Sequence, residues 1–214
     1  MKIRMRRAIS EDEKEQRRQE ILAAAKVVFA RDGYHATTMA DVAKLADISY
    51  GSLYWYFTSK ESLFHALMAQ GEQSLRAHVE AAISAGPRKD DLVTLESAVP
   101  FRNAVRATFE FFESDSALVK LLFRDAQAMG GAIERHLFGI YEGFISDIES
   151  IITQAQRDGA IVRAPARMVA FSIAALVGQV ALRRAVTDDG LSATEVADYV
   201  VQLLLNGLLP REER

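Results

Sequence analysis

Residues 33–63 of this 214-residue chain read GYHATTMADVAKLADISYGSLYWYFTSKESL. Two short runs in this segment carry apolar residues at helical spacing, and each follows a hydroxyl side chain of the kind that caps a helix, Thr38 or Ser49. Three residues, Asp47, Ile48 and Ser49, separate the two runs. The segment therefore predicts two short helices joined by a tight turn, which is the outline of a helix-turn-helix.

Helical patterns continue on both sides of this segment. A Ser-x-x-Glu box at Ser10 opens a helix before it, and a Thr-x-x-Glu box at Thr58 opens a long helix after it. No segment alternates apolar and polar residues for long enough to predict a strand. We therefore predict an all-α fold, with an N-terminal arm and three-helix helix-turn-helix domain in residues 1–58 and a C-terminal helical bundle in residues 59–214.

The basic residues concentrate near the N-terminus. Residues 1–60 contain 11 Lys and Arg against 8 Asp and Glu, a net charge of +3, whereas residues 61–214 contain 15 against 21, a net charge of −6. A polyanionic partner is therefore expected to meet the N-terminal part. The longest uncharged apolar stretch, residues 168–182, is shorter than the roughly 20 residues that span a bilayer. With no apolar secretory signal, the sequence predicts a cytoplasmic protein with no membrane partner.

Signatures of enzymatic chemistry are missing from the sequence. There is no cysteine, which excludes disulfides, thiolate catalysis and cysteine-bound zinc. The glycine-rich phosphate loops, the His-Glu-x-x-His pair and the serine-nucleophile motifs are missing as well. The four histidines, at positions 35, 65, 78 and 136, show no metal-ligand spacing. We therefore expect no enzyme activity, no metal site and no cofactor.

The segment quoted above, extended to about residues 16–64, resembles the DNA-binding domain of TetR-family transcriptional regulators. Asp47 departs from the family, which usually has glycine in the turn, and so does Tyr56, where histidine is frequent. The resemblance implies a sequence-specific DNA-binding regulator, a ligand-responsive repressor that binds a pseudo-palindromic operator as a homodimer. An activator or effector-independent factor of the same fold is the alternative. A helical-bundle enzyme or carrier for hydrophobic molecules is the alternative from another class.

The second short helix would be the one that recognises DNA. Gly51 leaves its surface bare, so that the backbone can approach the duplex. Tyr50, Ser52 and Trp55 are candidates for contacts with base edges or thymine methyl groups. Residues that match phosphate-binding positions of the family are Thr37, Thr38, Ser49, Tyr54, Tyr56 and Lys60. For Tyr54 and Trp55, packing of the aromatic rings is the competing interpretation, and the basic residues Lys2, Arg4, Arg6 and Arg7 form either an arm that reaches DNA or a solvated tail.

The last two helical patterns predict a dimer. Between residues 196 and 209 the polar side chains form one narrow stripe, so that helix must be buried on more than one face. The preceding helix has small residues along one side, which permits close helix approach. A two-fold four-helix interface satisfies both patterns, and an entirely intrachain core is the alternative. The residues predicted at the interface are Ala170, Ala174, Gly178, Ala181, Val200 and Leu204.

The middle helices are rich in aromatic residues, most of which belong in a core. The resemblance implies a cavity between these helices for a small apolar effector. The candidate ligand-binding residues are Phe109, Phe112, Phe123, Arg124, Gln127, Phe138, Tyr141, Phe144, Phe171 and Gln179. The long fourth helix, which begins at Lys60, is expected to couple this cavity to the DNA-binding helices.

Overall fold

The computed structural model describes residues 10–85, 99–124 and 131–208, and leaves the side chains of residues 123, 124, 207 and 208 outside that description. All regular elements in these ranges are helices, which confirms the all-α prediction. They are α1 (Glu11–Asp32), α2 (Met39–Leu45), α3 (Tyr50–Tyr56), α4 (Lys60–Ser84), α5 (Val99–Ser114), α6 (Ser116–Val119), a π-helical segment (Lys120–Arg124), α7 (Gly131–Arg157), α8 (Ala166–Arg184) and α9 (Ala193–Leu208).

The chain divides into two compact units, Met1–Met68 and Ala69–Arg214. The first part of α4 belongs to the first unit, because Leu63 and Phe64 are fully buried there and the ring of Phe64 meets the ring of Phe29 edge-on, with centroids 5.3 Å apart. The expected division after residue 58 stays a prediction. The basic N-terminal residues of the predicted arm lie outside the described residues.

Local sequence signals explain where α1 begins and ends. The hydroxyl of Ser10 accepts the Glu13 amide at 3.1 Å, and the Glu13 carboxylate accepts the Ser10 amide at 2.8 Å, so the predicted capping box is confirmed. The helix ends at Gly33, whose φ of 81° is a left-handed value that glycine adopts without strain. Between these ends, one apolar face is buried: Ile21, Leu22, Ala24, Ala25, Val28 and Phe29.

The second unit is built on two helix pairs, in which α7 packs along α8 and α5 packs along α9. Its core joins Phe109 and Phe112 of α5 to Val177 of α8 and Ala197 of α9. The sequence predicts one α-helix over residues 116–129, whereas the structure ends α6 at Val119 and continues as a π-helical segment. The start of α6 is fixed by Asp115, whose carboxylate caps the helix by accepting the Leu118 amide at 3.1 Å.

The small residues of α8 and their expected partner on α9 lie inside the protomer. Ala170, Gly178 and Ala181 are buried, as is Val200. A side chain that is already buried in its own subunit has no surface left for a partner, so their assignment to a dimer interface is corrected: they form the contact between helices of one chain. The two remaining predicted positions, Ala174 and Leu204, are half-buried.

One arginine ties the α8–α9 turn to α5. Arg184 donates to the Glu113 carboxylate at 2.6 Å and to the Leu191 carbonyl at 2.7 Å, and it also pairs with Asp189. Its side chain is only 10 % exposed, so these hydrogen bonds are shielded from competing water. Arg167, by contrast, pairs with two glutamates on α7 but keeps 51 % of its side chain exposed.

We predict that Arg184→Met lowers the free energy of unfolding by about 1–3 kcal/mol, because it leaves two carboxylates and a carbonyl without a charged donor. Arg167→Met is the matched control and is expected to lower it by less than about 1 kcal/mol, as is usual for solvent-exposed ion pairs. Urea unfolding of both variants at equal protein concentration measures the difference. Equal losses would show that Arg184 contributes no more than a surface pair.

Candidate nucleic-acid interface

The start of α2 is fixed by a second capping box. The Thr38 amide donates to the Asp41 carboxylate at 2.9 Å, and the Asp41 amide donates to the Thr38 hydroxyl at 3.2 Å. Hydrogen bonds from the hydroxyl and then the amide of Thr38 hold the pKa of Asp41 below its usual value, so the cap is intact at neutral pH. The helix buries Met39, Val42 and Ala43, which places it against the first unit's core.

The turn between α2 and α3 uses a left-handed residue. Asp47 has a φ of 52°, and the Ile48 amide donates back to the Ala43 carbonyl at 3.0 Å, closing the turn. Aspartate tolerates this backbone conformation better than most side chains do, which explains how it stands where the family resemblance leads one to expect glycine. Ser49 then caps α3 by accepting the Ser52 amide at 3.1 Å.

The seven-residue helix α3 has one buried and one accessible face. Leu53 is fully buried and Phe57, just after the helix, is nearly so. These two anchors turn the opposite face outward, where Tyr50 is 54 % and Trp55 66 % exposed. Gly51 lies between them, and a Cβ added there would meet nothing within 4 Å. The structure therefore brings the predicted base-contact residues, Tyr50, Gly51, Ser52 and Trp55, to the accessible side of α3.

The aromatic side chains on this face are organised by one another. The Tyr50 hydroxyl donates to the Tyr54 hydroxyl at 3.1 Å, and their ring centroids lie 4.8 Å apart. The interaction with Tyr50, together with partial desolvation, raises the pKa of Tyr54. Trp55 meets the ring of Tyr56 edge-on, with centroids 4.7 Å apart.

Lys60, a predicted phosphate contact, is engaged within the protein. Its ammonium donates to the carbonyls of Tyr34 at 2.7 Å, His35 at 3.2 Å and Thr37 at 2.8 Å, and it lies 4.5 Å from the centroid of the Tyr34 ring. A lysine ammonium has three N–H donors, and all three are used here. In this arrangement Lys60 ties the start of α4 to the segment between α1 and α2, and its contact with phosphate stays a prediction. Burial lowers the pKa of this ammonium.

Thr37 also faces inward. Only 1 % of the residue is exposed, and its hydroxyl donates to the Gly33 carbonyl at 2.8 Å, so it stabilises the turn after α1 and cannot reach a phosphate in this arrangement. Thr38 and Ser49 are exposed, although their hydroxyls serve the helix caps. Tyr54 is exposed, and Tyr56 and Lys60 are half-buried, so five of the six predicted phosphate contacts keep accessible surface.

The described residues of the first unit carry no excess of positive charge. Residues 10–68 contain seven Lys and Arg against nine Asp and Glu, whereas residues 1–9 contain four basic residues and no acidic one. Several arginines of α1 and its C-terminal end are paired, as in Arg17 with Glu20 at 2.7 Å and Arg31 with Asp32 at 2.7 Å. The positive charge that the sequence places in this part of the chain thus lies chiefly in the N-terminal arm.

The predicted ligand-binding residues do not converge on a single enclosed site in the described part of the second unit. Phe109 and Phe112 belong to the core, whereas Phe138, Phe171 and Gln179 are exposed. Their placement in an interior cavity of the protomer is corrected accordingly.

The remaining predicted residues are Tyr141 and Phe144, which are half-buried on α7. Burial raises the pKa of Tyr141, so its hydroxyl stays protonated. The side chains of Phe123 and Arg124, and the whole of Gln127, lie outside the described residues.

Sequence reasoning missed an arginine that connects α4 to α7. The guanidinium of Arg76 lies 4.5 Å from the centroid of the Phe144 ring, and it pairs with Asp147 on α7 and, at 3.0 Å, with Glu72 on its own helix. Gly143 leaves room for this side chain, since a Cβ there would lie 3.3 Å from Arg76 Nη2. The spacing of Glu72 and Arg76, four residues apart, is visible in the sequence as an ion pair within one helix. The partner on α7, Asp147, lies 71 residues after Arg76, and no local pattern indicates it.

A helix-turn-helix whose second helix presents an accessible aromatic face, joined to a helical second unit, defines a DNA-binding transcriptional regulator. Residues 21–67 match the family model for bacterial regulatory proteins of the tetR family, and residues 100–208 match the model for the tetracyclin repressor-like C-terminal domain. The chain belongs to the TetR family. Regulators of this family bind DNA operators, typically as dimers, and are not enzymes.

Relatives and solved structures support this assignment. The chain is 30 % identical over 163 residues to the HTH-type transcriptional activator FasR of Mycolicibacterium smegmatis, covering 76 % of this chain and 69 % of FasR. It is 48 % identical over 44 residues to the regulator QacR of Staphylococcus aureus, covering 21 % of this chain and 23 % of QacR. The structure of FadR from Bacillus subtilis in complex with stearoyl-CoA shares its fold, with a TM-score of 0.76 and 19 % identity over 88 % of this chain and 98 % of FadR.

We predict that Lys60→Met destabilises the protein by about 1.5–3 kcal/mol, because three carbonyls lose a charged donor. Lys44→Met, at an exposed lysine of α2, is the control and should change the free energy of unfolding by less than about 0.5 kcal/mol. Operator binding distinguishes the two roles of Lys60: loss of a phosphate contact reduces the slope of log affinity against log salt by about 0.9, whereas loss of the carbonyl contacts leaves it unchanged. A reduced slope with unchanged stability would support the phosphate role and contradict the structural one.

Proposed function

We propose that this protein is a ligand-responsive repressor that binds a pseudo-palindromic operator as a homodimer in the cytoplasm. The observation that carries the proposal is the accessible face of α3, because Leu53 and Phe57 anchor the helix while Tyr50, Gly51 and Trp55 remain free to enter a major groove. FasR, which aligns with 76 % of this chain, is named an activator. Activation through the same operator contacts is therefore the second candidate.

The homodimer is supported by the second face of α8 and α9. α8 has the length and apolar composition of a membrane span, with a mean hydropathy of 1.4, yet its buried residues pack within the second unit. Its outer face still carries Met168 and Phe171, and α9 exposes Tyr199 (68 %) and Leu203 (52 %). Large exposed apolar side chains on two neighbouring helices of the chain are typical of an interface. The proposed interface is therefore this outer face, with Ala174 and Leu204 at its margin.

We predict that the double variant Tyr199→Glu, Leu203→Glu weakens the dimer by about 100-fold or more, because the two-fold axis brings like charges together in a desolvated contact. Val27→Glu changes an equally exposed apolar residue of α1 and should leave the assembly intact. Light scattering coupled to size-exclusion chromatography reports the mass of each variant. A wild-type protein that is monomeric at micromolar concentration would contradict the homodimer.

The proposed effector is a molecule with a long acyl chain. FadR of Bacillus subtilis, which shares the fold, was solved with stearoyl-CoA. In the second unit, Phe144 of α7 is half-buried and packs against the core that contains Phe109 and Phe112, and Tyr141 is half-buried on the same helix. A hydroxyl such as that of Tyr141, kept protonated by its surroundings, can orient a polar group of the ligand.

Coupling to DNA is proposed to run through α4, a single helix whose residues belong to both units. In the second unit, Arg76 fixes α4 against Phe144 and Asp147 of α7. A ligand that displaces α7 therefore displaces the end of α4 that Arg76 holds. Because two recognition helices must lie about 34–36 Å apart to fill successive major grooves, a small tilt of α4 in each subunit weakens operator binding.

We predict that stearoyl-CoA reduces operator affinity by about 5- to 150-fold, the range of typical coupling free energies. By reciprocity, saturating operator DNA should weaken stearoyl-CoA binding by the same factor. Isothermal titration of stearoyl-CoA with and without operator measures both, and free coenzyme A is the control without an acyl chain. Equal affinities in the two titrations would contradict effector control and favour a factor that binds DNA without an effector.

A further inference from the structure

The recognition helix lacks the side chains that most often read purines. Residues Tyr50–Tyr56 are YGSLYWY, with no arginine, lysine, asparagine or glutamine. Arginine and lysine form bidentate hydrogen bonds with guanine, and asparagine and glutamine form them with adenine. Discrimination between bases by α3 must therefore use other chemistry.

The hydroxyls on this face are already engaged with one another. The Ser52 hydroxyl lies 2.7 Å from the Ser49 hydroxyl, which also accepts the Ser52 amide at 3.1 Å. The Tyr50 hydroxyl donates to Tyr54 at 3.1 Å. These contacts turn the polar ends of the side chains toward one another and leave the carbon surfaces of the rings as the dominant exposed feature.

The exposed rings are large and restrained. Trp55 is 66 % exposed, yet its indole is held edge-on against Tyr56 with centroids 4.7 Å apart. Tyr50 is 54 % exposed and is held against Tyr54. Gly51 between them adds no side chain, which lets the helix approach closely. A rigid apolar surface loses little conformational entropy when it is covered, so it can contribute to affinity on contact with an apolar group.

The major groove offers one apolar group among the four bases, the C5 methyl of thymine. We propose that each operator half-site presents thymine C5 methyl groups to the rings of Tyr50 and Trp55, and that these contacts specify the sequence. This inference rests on the proposed operator binding and names the base chemistry that it reads. The competing hypothesis is that Asp47, in the preceding turn, specifies the sequence, because its carboxylate would accept a hydrogen bond from the N4 amino group of cytosine.

The test uses the full-length protein and two random duplex libraries, one synthesised with thymine and the other with uracil, which lacks only the methyl group. We expect a shared half-site to be enriched from the thymine library. Uracil at one contacted position of that duplex should lower affinity by about fourfold, the effect of one buried methyl group. Enrichment of one half-site from both libraries with equal affinity would overturn the inference, as would a half-site specified by cytosine alone.

A cycle of variants assigns the contact to its ring. Trp55→Ala should weaken binding to the thymine duplex, and uracil at the position that Trp55 contacts should then produce little further loss, because one change has already removed the interaction. Val27→Ala, at an exposed apolar residue of α1, is the control, and for it the uracil penalty should equal that of the wild type. A uracil penalty that is the same in Trp55→Ala and in Tyr50→Ala as in the wild type would overturn the inference. Failure of both libraries to enrich any sequence would instead overturn the proposed operator binding, and this inference with it.

Discussion

The ammonium of Lys60 stabilises the arrangement on which the first unit depends. It bonds to three carbonyls that lie 23 to 26 residues earlier in the chain, and so it joins the start of α4 to the segment that ends α1 and leads into α2. α2 sets the position of the turn at Asp47, and that turn sets the direction of α3. A charged donor among backbone acceptors is a strong and directional restraint. Together with the buried anchors Leu53 and Phe57, this restraint fixes the frame that presents the accessible face of α3.

In the second unit, α8 is apolar on almost every side, so it must be covered on more than one face. Small residues on one side let it approach its neighbours closely, and Ala170 and Ala181 are buried there. Large residues on the other side, such as Met168 and Phe171, remain uncovered in the protomer. The helix is thus adapted to close packing within the chain on one face and to a broad apolar contact on the other.

Features encoded over four or five residues were predicted well from the sequence. The capping boxes at Ser10 and Thr38 appear in the structure because each depends on neighbours along the chain. The box expected at Thr58 is wrong by one residue: Ser59 caps α4, and its hydroxyl accepts the Ser62 amide at 3.0 Å. Periodicity, in contrast, shows that a helix has two apolar faces but not which neighbour covers each of them. For this reason the small residues of α8 were predicted to face a partner subunit, whereas Ala170 and Ala181 are buried within their own chain.

Residue type alone could not reveal the carbonyl contacts of Lys60, since a lysine beside a DNA-binding helix suggests a phosphate contact. One physical signal was present: a cation in the first turn of a helix is disfavoured by the helix dipole, which implies nearby acceptors. Those acceptors, like the Asp147 partner of Arg76, are distant in sequence, and no local pattern identifies them. The exposure of Phe138 and Phe171 likewise depends on how α7 and α8 are rotated against each other.

The separation between the anchors of α3 and its outer face has an evolutionary consequence. Leu53 and Phe57 hold the helix in place, whereas Tyr50 and Trp55 contribute little to the folded core. Mutations on the outer face therefore escape the stability threshold that constrains most of a protein. A duplicated gene for this regulator can acquire a new target site through a few substitutions at these positions while its fold, its assembly and its response to effector are inherited unchanged.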